Sequence, residues 1–134
     1  MIIDHIGYVV KDLRKSCDFY CSMMNYKIKV PEIYVENQSV KIIMLESISG
    51  ITPNLELIHP FGDNSPVSTA LKKRNIINHI CYRTKDYDEI LQKFHKKIVR
   101  PSMPAPVELF GGGRTFFAYL NGQVTEFVED IGKK

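Results

Sequence analysis

Hydrophobic and polar positions alternate in two well-separated stretches of this chain, and the two stretches read as copies. "DHIGYVVKDL" runs from Asp4 to Leu13 and "NHICYRTKDY" from Asn78 to Tyr87. Each opens with Asp or Asn followed by histidine, alternates apolar residues for several positions, and turns polar at Lys-Asp. A period of two places successive side chains on opposite faces of a strand, so each stretch predicts a half-buried β-strand. After the first, Asp12 supplies a helix N-cap. The segment "LRKSCDFYCSMMN" then puts Leu13, Cys17, Tyr20, Cys21 and Met24 on one helical face. Three strand-like runs follow, "YKIKVPEIYV", "SVKIIMLES" and "NLELIHP". Pro31 lacks the N–H a central strand needs, which predicts an edge or a break there. "FGDNSPVSTALKKRN" predicts a loop leading into a short helix.

The order then repeats. "IINHICYRT" reads as a strand, and "KDYDEILQKFHKKI" as an amphipathic helix with Tyr87, Ile90, Leu91 and Phe94 on one side. "IVRPSMPAPVEL" is extended and interrupted by proline. "GRTFFAYL" and "QVTEFVED" are strands joined at Asn121-Gly122, a strong two-residue hairpin signal. Each half is therefore strand, helix and three strands. The modules fall at residues 1–60 and 76–130, with a linker at 61–75 and a frayed "IGKK" tail.

Composition narrows the classes. At 134 residues, 44% hydrophobic and 25% charged, the chain suits one globular domain. The net charge of +3 is scattered and does not argue for nucleic acid; it mildly favours an anionic small substrate. No apolar run approaches the roughly 18 residues of a membrane span. The N-terminal residues enter a strand pattern at once rather than a signal peptide, and three cysteines in no framework spacing fit a reducing compartment. The expectation is a cytoplasmic protein. Cys17 and Cys21 read as buried structural thiols rather than metal ligands.

The repeat also carries the candidate chemistry. His5 and His79 lie 74 positions apart (79 − 5), and each half ends with a glutamate on its last strand, Glu56 and Glu126, 70 apart (126 − 56). A duplicated unit related by a pseudo-two-fold axis brings matched positions together near that axis. Two imidazoles and two carboxylates make a ligand set for a borderline or hard divalent metal, with positions left for water or substrate. Taken alone, a strand histidine is a core or surface residue and a strand glutamate faces solvent, and that alternative stands beside the metal reading. His59 and His95 have no counterpart in the other half and read as structural. "GGGR", Gly111 to Arg114, reads as a hairpin loop that lets a ligand approach, or as an anion-binding nest.

These paired modules, with His5, Glu56, His79 and Glu126 so placed, resemble the vicinal oxygen chelate superfamily. It includes glyoxalase I, methylmalonyl-CoA epimerase, extradiol dioxygenases and the bleomycin and fosfomycin resistance proteins. The segment "LELIHPFGDNSPVSTALKKRNIINHICYRT" looks much like the middle of methylmalonyl-CoA epimerases, and "GGRTFF" is similar to their Gly-Gly stretch. The chain departs from them at the short "LNGQ" turn and at Lys41, where some epimerases carry a catalytic glutamate; Glu46 lies on the same strand.

The resemblance implies an α+β fold, two tandem β-α-β-β-β modules forming a curved, partly open eight-stranded mixed sheet. It implies one divalent ion (Ni, Co, Mn or Zn) on His5, Glu56, His79 and Glu126. Glu126 and Glu56 would flank the two faces of a planar intermediate as catalytic carboxylates, with Lys41 and Arg114 as anion contacts. The implied activity is proton transfer alpha to a carbonyl: epimerisation of a CoA thioester or, as the alternative, glyoxalase I-type conversion of a hemithioacetal. A metal-free binding or resistance module is the reading of another class. Glu56 as a fourth ligand and the small size argue against an extradiol dioxygenase. The family also points to a homodimer acting on a small molecule, with neither nucleic acid nor membrane as partner.

Overall fold

A computed structural model of the chain describes residues 1–62, 65, 67–74 and 76–132. Its residues group into two compact units: His5–Asn78 is one, and Met1–Asp4 joins the stretch from His79 onward in the other. Eight strands and four helices are present among the described residues. The first half contributes β1 (Ile2–Val9), α1 (Leu13–Met23), β2 (Tyr26–Val35), β3 (Val40–Ser47), β4 (Asn54–Pro60) and α2 (Ser68–Lys72). The second contributes β5 (Ile77–Thr84), α3 (Tyr87–Lys93), β6 (Ile98–Pro104), α4 (Val107–Phe110), β7 (Arg114–Leu120) and β8 (Gln123–Glu129).

Each half pairs its strands alike. The first runs β2-β3-β4-β1 and the second β6-β7-β8-β5. In each, the module's first strand pairs parallel with its last, β1 with β4 and β5 with β8, while the remaining pairings are antiparallel. The fold is thus α+β with a mixed sheet, as expected. A parallel pairing needs a crossover, and in each half the intervening helix and strands supply it.

Local chemistry explains the elements. Asp12 caps α1, its Oδ1 accepting from the Lys15 N–H at 3.0 Å. Leu13 and Cys17 pack with Ile43, Leu45, Leu55 and Leu57 under the helix, and Tyr20 and Cys21 border that cluster. Each leucine buried there is worth about 1.5–3 kcal/mol. Met24 departs from the expected face. It is the C-cap residue, past the last helical turn, and 54% exposed. Burial pushes the Cys17 thiol up to about 11, with Cys21 adding to the effect, so this thiol stays protonated and inert at neutral pH. Pro31 falls in β2, the outermost strand of its half, where the β2–β3 register shifts between Ile28 and Ile33.

In the second half, Tyr87 is buried from α3 against Phe116, Ala118 and Phe127, with Ile90, Leu91 and Phe94 beside it. The expected helix is shorter than its pattern: α3 ends at Lys93, and a 3-10 turn, His95–Lys97, completes it. Asn121 (φ 50°) and Gly122 (φ 81°) both adopt left-handed conformations and close the β7–β8 hairpin as a two-residue turn. One element is unanticipated. The proline-rich extended stretch yields to α4, which Pro106 precedes and Gly111 (φ 64°) ends. Asp63, Asn64, Pro66 and Asn75 of the linker and the last two lysines lie outside the described residues.

Candidate functional site

Strand alternation sorts each sheet half into a helix-facing side and a second side, and the four predicted metal ligands fall on the second. In the first half, Ile43, Leu45, Leu55 and Leu57 face α1. Gly7, two residues from His5 on β1, is level with Glu56 on β4, and Glu56 is level with Met44 on β3, so His5, Glu56, Met44 and Ile42 share the other face. His5 is completely buried and Glu56 nearly so. The His5 Nε2 lies 3.5 Å from Glu56 Oε2.

The second half repeats this arrangement with a richer surround. Cys81, two residues after His79, is level with Glu126, which is level with Phe117. His79 and Glu126 are both buried, and His79 Nε2 lies 3.3 Å from Glu126 Oε1. The other carboxylate oxygen, Oε2, accepts from the Thr115 hydroxyl at 2.7 Å. That hydroxyl has one proton, and the Phe127 carbonyl at 3.1 Å is its longer alternative. The edge of the Phe117 ring meets His79, with centroids 5.4 Å apart at 80°. Arg100 lies over the same ring at 5.8 Å.

Burying a carboxylate is costly unless a cation or strong donors compensate it. Each half buries one, and each places an imidazole nitrogen directly against it. The donor types are those a divalent transition metal takes, and in both pairs it is Nε2, the nitrogen farthest from the backbone, that meets the carboxylate. The residues present therefore fit the metal that the fold family implies. Within each half the structure joins the predicted histidine to the predicted glutamate. Thr115, Phe117 and Arg100 were not anticipated; the signal for them was their place beside Glu126 on a paired strand, which emerges only with the register.

Other candidates resolve differently. The His59 Nδ1–H donates to the Val10 carbonyl at 2.9 Å, and the His95 Nδ1–H to that of Gln92 at 2.7 Å, both structural contacts. Glu46 pairs with Lys27 at 3.6 Å near the surface. Lys41 sits over the Phe61 ring at 5.0 Å. Arg114 is not a free anion contact. It donates to both oxygens of Asp88 (3.0 and 3.2 Å) and to Glu129 at 2.6 Å, and stacks over Tyr87. Its guanidinium holds the Glu129 carboxyl below the usual range. The glycine run connects α4 to β7 rather than closing a hairpin. A Cβ on Gly113 would sit 2.6 Å from the Glu129 carbonyl oxygen, so the close approach is to β8 itself.

Comparison with known proteins places the chain in a family. Residues 4–119 match the model of the Glyoxalase/Bleomycin resistance protein/Dioxygenase superfamily, and the chain belongs to that family. Among characterised relatives, the mitochondrial methylmalonyl-CoA epimerase of Dictyostelium discoideum is 28% identical over 133 residues, covering 95% of this chain and 77% of that protein. The human mitochondrial methylmalonyl-CoA epimerase is 25% identical over 114 residues, covering 84% of this chain; the match spans 62% of the human protein, less than two thirds of its length. A solved methylmalonyl-CoA epimerase in complex with methylmalonyl-CoA and NH4+ superposes with a TM-score of 0.78 at 25% identity, covering 97% of this chain and 94% of that one. No described helix is long and apolar enough to cross a membrane.

Proposed function

We propose that this chain is an epimerase that moves the proton on the carbon alpha to the carbonyl of a carboxylated CoA thioester, with methylmalonyl-CoA as the first substrate to test. The observation that carries the reading is the twin burial of His5 with Glu56 and His79 with Glu126 on equivalent strands. The epimerase relatives support the reaction class. His5, Glu56, His79 and Glu126 would hold one divalent ion, which when bound supplies Lewis-acid polarisation of the substrate carbonyl.

The chain's own residues do the rest. Glu126 removes the α-proton and Glu56 serves the opposite face, so that return of a proton from the other side inverts the centre. Thr115 fixes Glu126 by donating to Oε2, leaving Oε1 as the oxygen beside His79. Burial of all four side chains keeps bulk water from competing as proton source.

The test is to load the protein with metal and incubate it in heavy water, once with methylmalonyl-CoA and once with methylglyoxal plus glutathione. Deuterium entering the α-carbon of the CoA thioester is the expected result. Thioester formation from the second mixture without exchange in the first would replace this reading with a glyoxalase I-type activity. Neither reaction, with metal bound, would remove both.

A further inference from the structure

A second cavity lies in the first half, apart from the His–Glu pairs, and nothing in the proposed chemistry uses it. Its volume is about 700 Å³, within the usual range for small-molecule sites. It opens between α1, α2 and the end of β1. Four cationic side chains line it, Lys11 and Lys15 from the α1 side and Lys72 and Arg74 from the α2 side. None of the four makes an ion pair with another described residue. For a chain with net charge +3, four uncompensated cations around one cavity are a concentration of charge rather than a share of the average. Apart from Ser16 and Tyr20, the remaining lining side chains are apolar.

Aromatic surface stands beside that charge. Phe19 and Tyr20 both line the cavity, edge to face with ring centroids 5.2 Å apart. Phe19 is half exposed, a large apolar ring left on the solvent side of α1. A flat ring stacked on an aromatic side chain and phosphates met by lysine and arginine are the two contacts by which proteins hold nucleotides. The cavity supplies both.

We propose that this cavity binds the phosphorylated adenosine end of the CoA thioester, a deepening that rests on the epimerase reading. Val9, at the end of β1, lines the cavity, and His5 is four residues earlier on that strand, about 13 Å away at ~3.3 Å per residue. The extended pantetheine arm covers a span of that order. The reacting end and the nucleotide handle would then lie toward opposite ends of one strand, the arm passing over the end of β1 from the His5 face to the α1 side.

The experiment needs no turnover. Adenosine 3′,5′-bisphosphate is titrated calorimetrically into the full chain, with ADP as the comparison. Saturable binding of the bisphosphate, weakened at least tenfold in the Lys15→Glu/Lys72→Glu variant and more weakly in Phe19→Ala, is the expected result. All three positions are on the surface side of their helices, and circular dichroism checks the fold. In the exchange assay the double variant should raise KM for methylmalonyl-CoA at least tenfold and leave exchange on the methylmalonyl N-acetylcysteamine thioester, which lacks the nucleotide, unchanged. Absence of saturable bisphosphate binding, or equal binding by the double variant, would overturn the proposal. ADP binding as tightly as the bisphosphate would overturn the CoA assignment in favour of free nucleotide. Bisphosphate binding without any exchange would keep the cavity and sink the epimerase reading.

Discussion

The two halves keep the same histidine and glutamate and surround them differently. Level with Glu56 on β3 stands Met44, and two residues along stands Ile42. Level with Glu126 on β7 stands Phe117, and two residues along stands Thr115. One strand farther out, Met44 meets Val30 on β2, whereas Phe117 meets Arg100 on β6. The donors are thus common to both halves, while the second also carries a hydroxyl, an aromatic ring and a guanidinium around its pair. A ligand set can be symmetric and still do unsymmetric chemistry, because the atoms next to each carboxylate decide its orientation. Glu126 has a short hydrogen bond from a side-chain hydroxyl holding one oxygen; at the matching place beside Glu56 the chain carries isoleucine.

The largest expected effect breaks that asymmetry at the carboxylates. Glu126→Gln keeps the shape and an oxygen donor but removes the base, so kcat for α-proton exchange should fall ~100- to 10,000-fold. Glu56→Gln should fall less. Metal content, measured alongside by elemental analysis, should drop only partly in both. Full turnover by Glu126→Gln with its metal in place would assign the base elsewhere, with Glu46 the next residue to test.

A smaller effect isolates the hydroxyl. Thr115→Val removes the donor to Glu126 while conserving volume. Losing a group that orients a metal-ligating carboxylate costs about 10- to 100-fold in metal affinity. Ile42→Val, the matching position in the first half, should leave affinity within twofold. Competition titration with a chromophoric chelator reads both, and equal losses in the two variants would mean the halves act alike.

The smallest effect concerns acid stability, and it too separates the halves. Arg114 bonds Glu129 in the second half, where the matching first-half strands pair Lys41 with His59. Because Arg114 holds the folded Glu129 carboxyl below its unfolded value, the stabilisation is present above the ordinary glutamate range and is lost as pH falls through the lowered folded value. The exposed setting keeps it small. Urea unfolding should show wild type more stable than Glu129→Gln at pH 6, with the gap closing toward pH 3. A gap that widens in acid would contradict the assignment.

Much of this was legible in the primary structure. The repeated Asx-His phrase announced two copies, since period-two alternation and an Asp N-cap are local signals that tertiary packing did not override. The Asn121-Gly122 turn was legible for the same reason: few residues tolerate both left-handed positions. What escaped depended on register. Thr115 is an ordinary strand threonine until β7 is aligned with β8, and Arg114 looked available for a ligand until Asp88 and Glu129 were brought around it. The reason for Gly113 was hidden too, because it is a backbone oxygen 2.6 Å from a missing Cβ, a contact between residues distant in sequence. The α4 turn, short and proline-preceded, had no periodicity to show.

In the proposed reading the two halves serve one metal. Its most direct measurement is the stoichiometry of metal binding, by titrating the metal-stripped protein with Ni, Co, Mn and Zn and counting bound ions per chain. About one ion per chain is expected, lost largely in His5→Ala and equally in His79→Ala, because either variant would remove a ligand from the same site. Two ions per chain, each lost in only one of the variants, or none for any of the four metals, would contradict it.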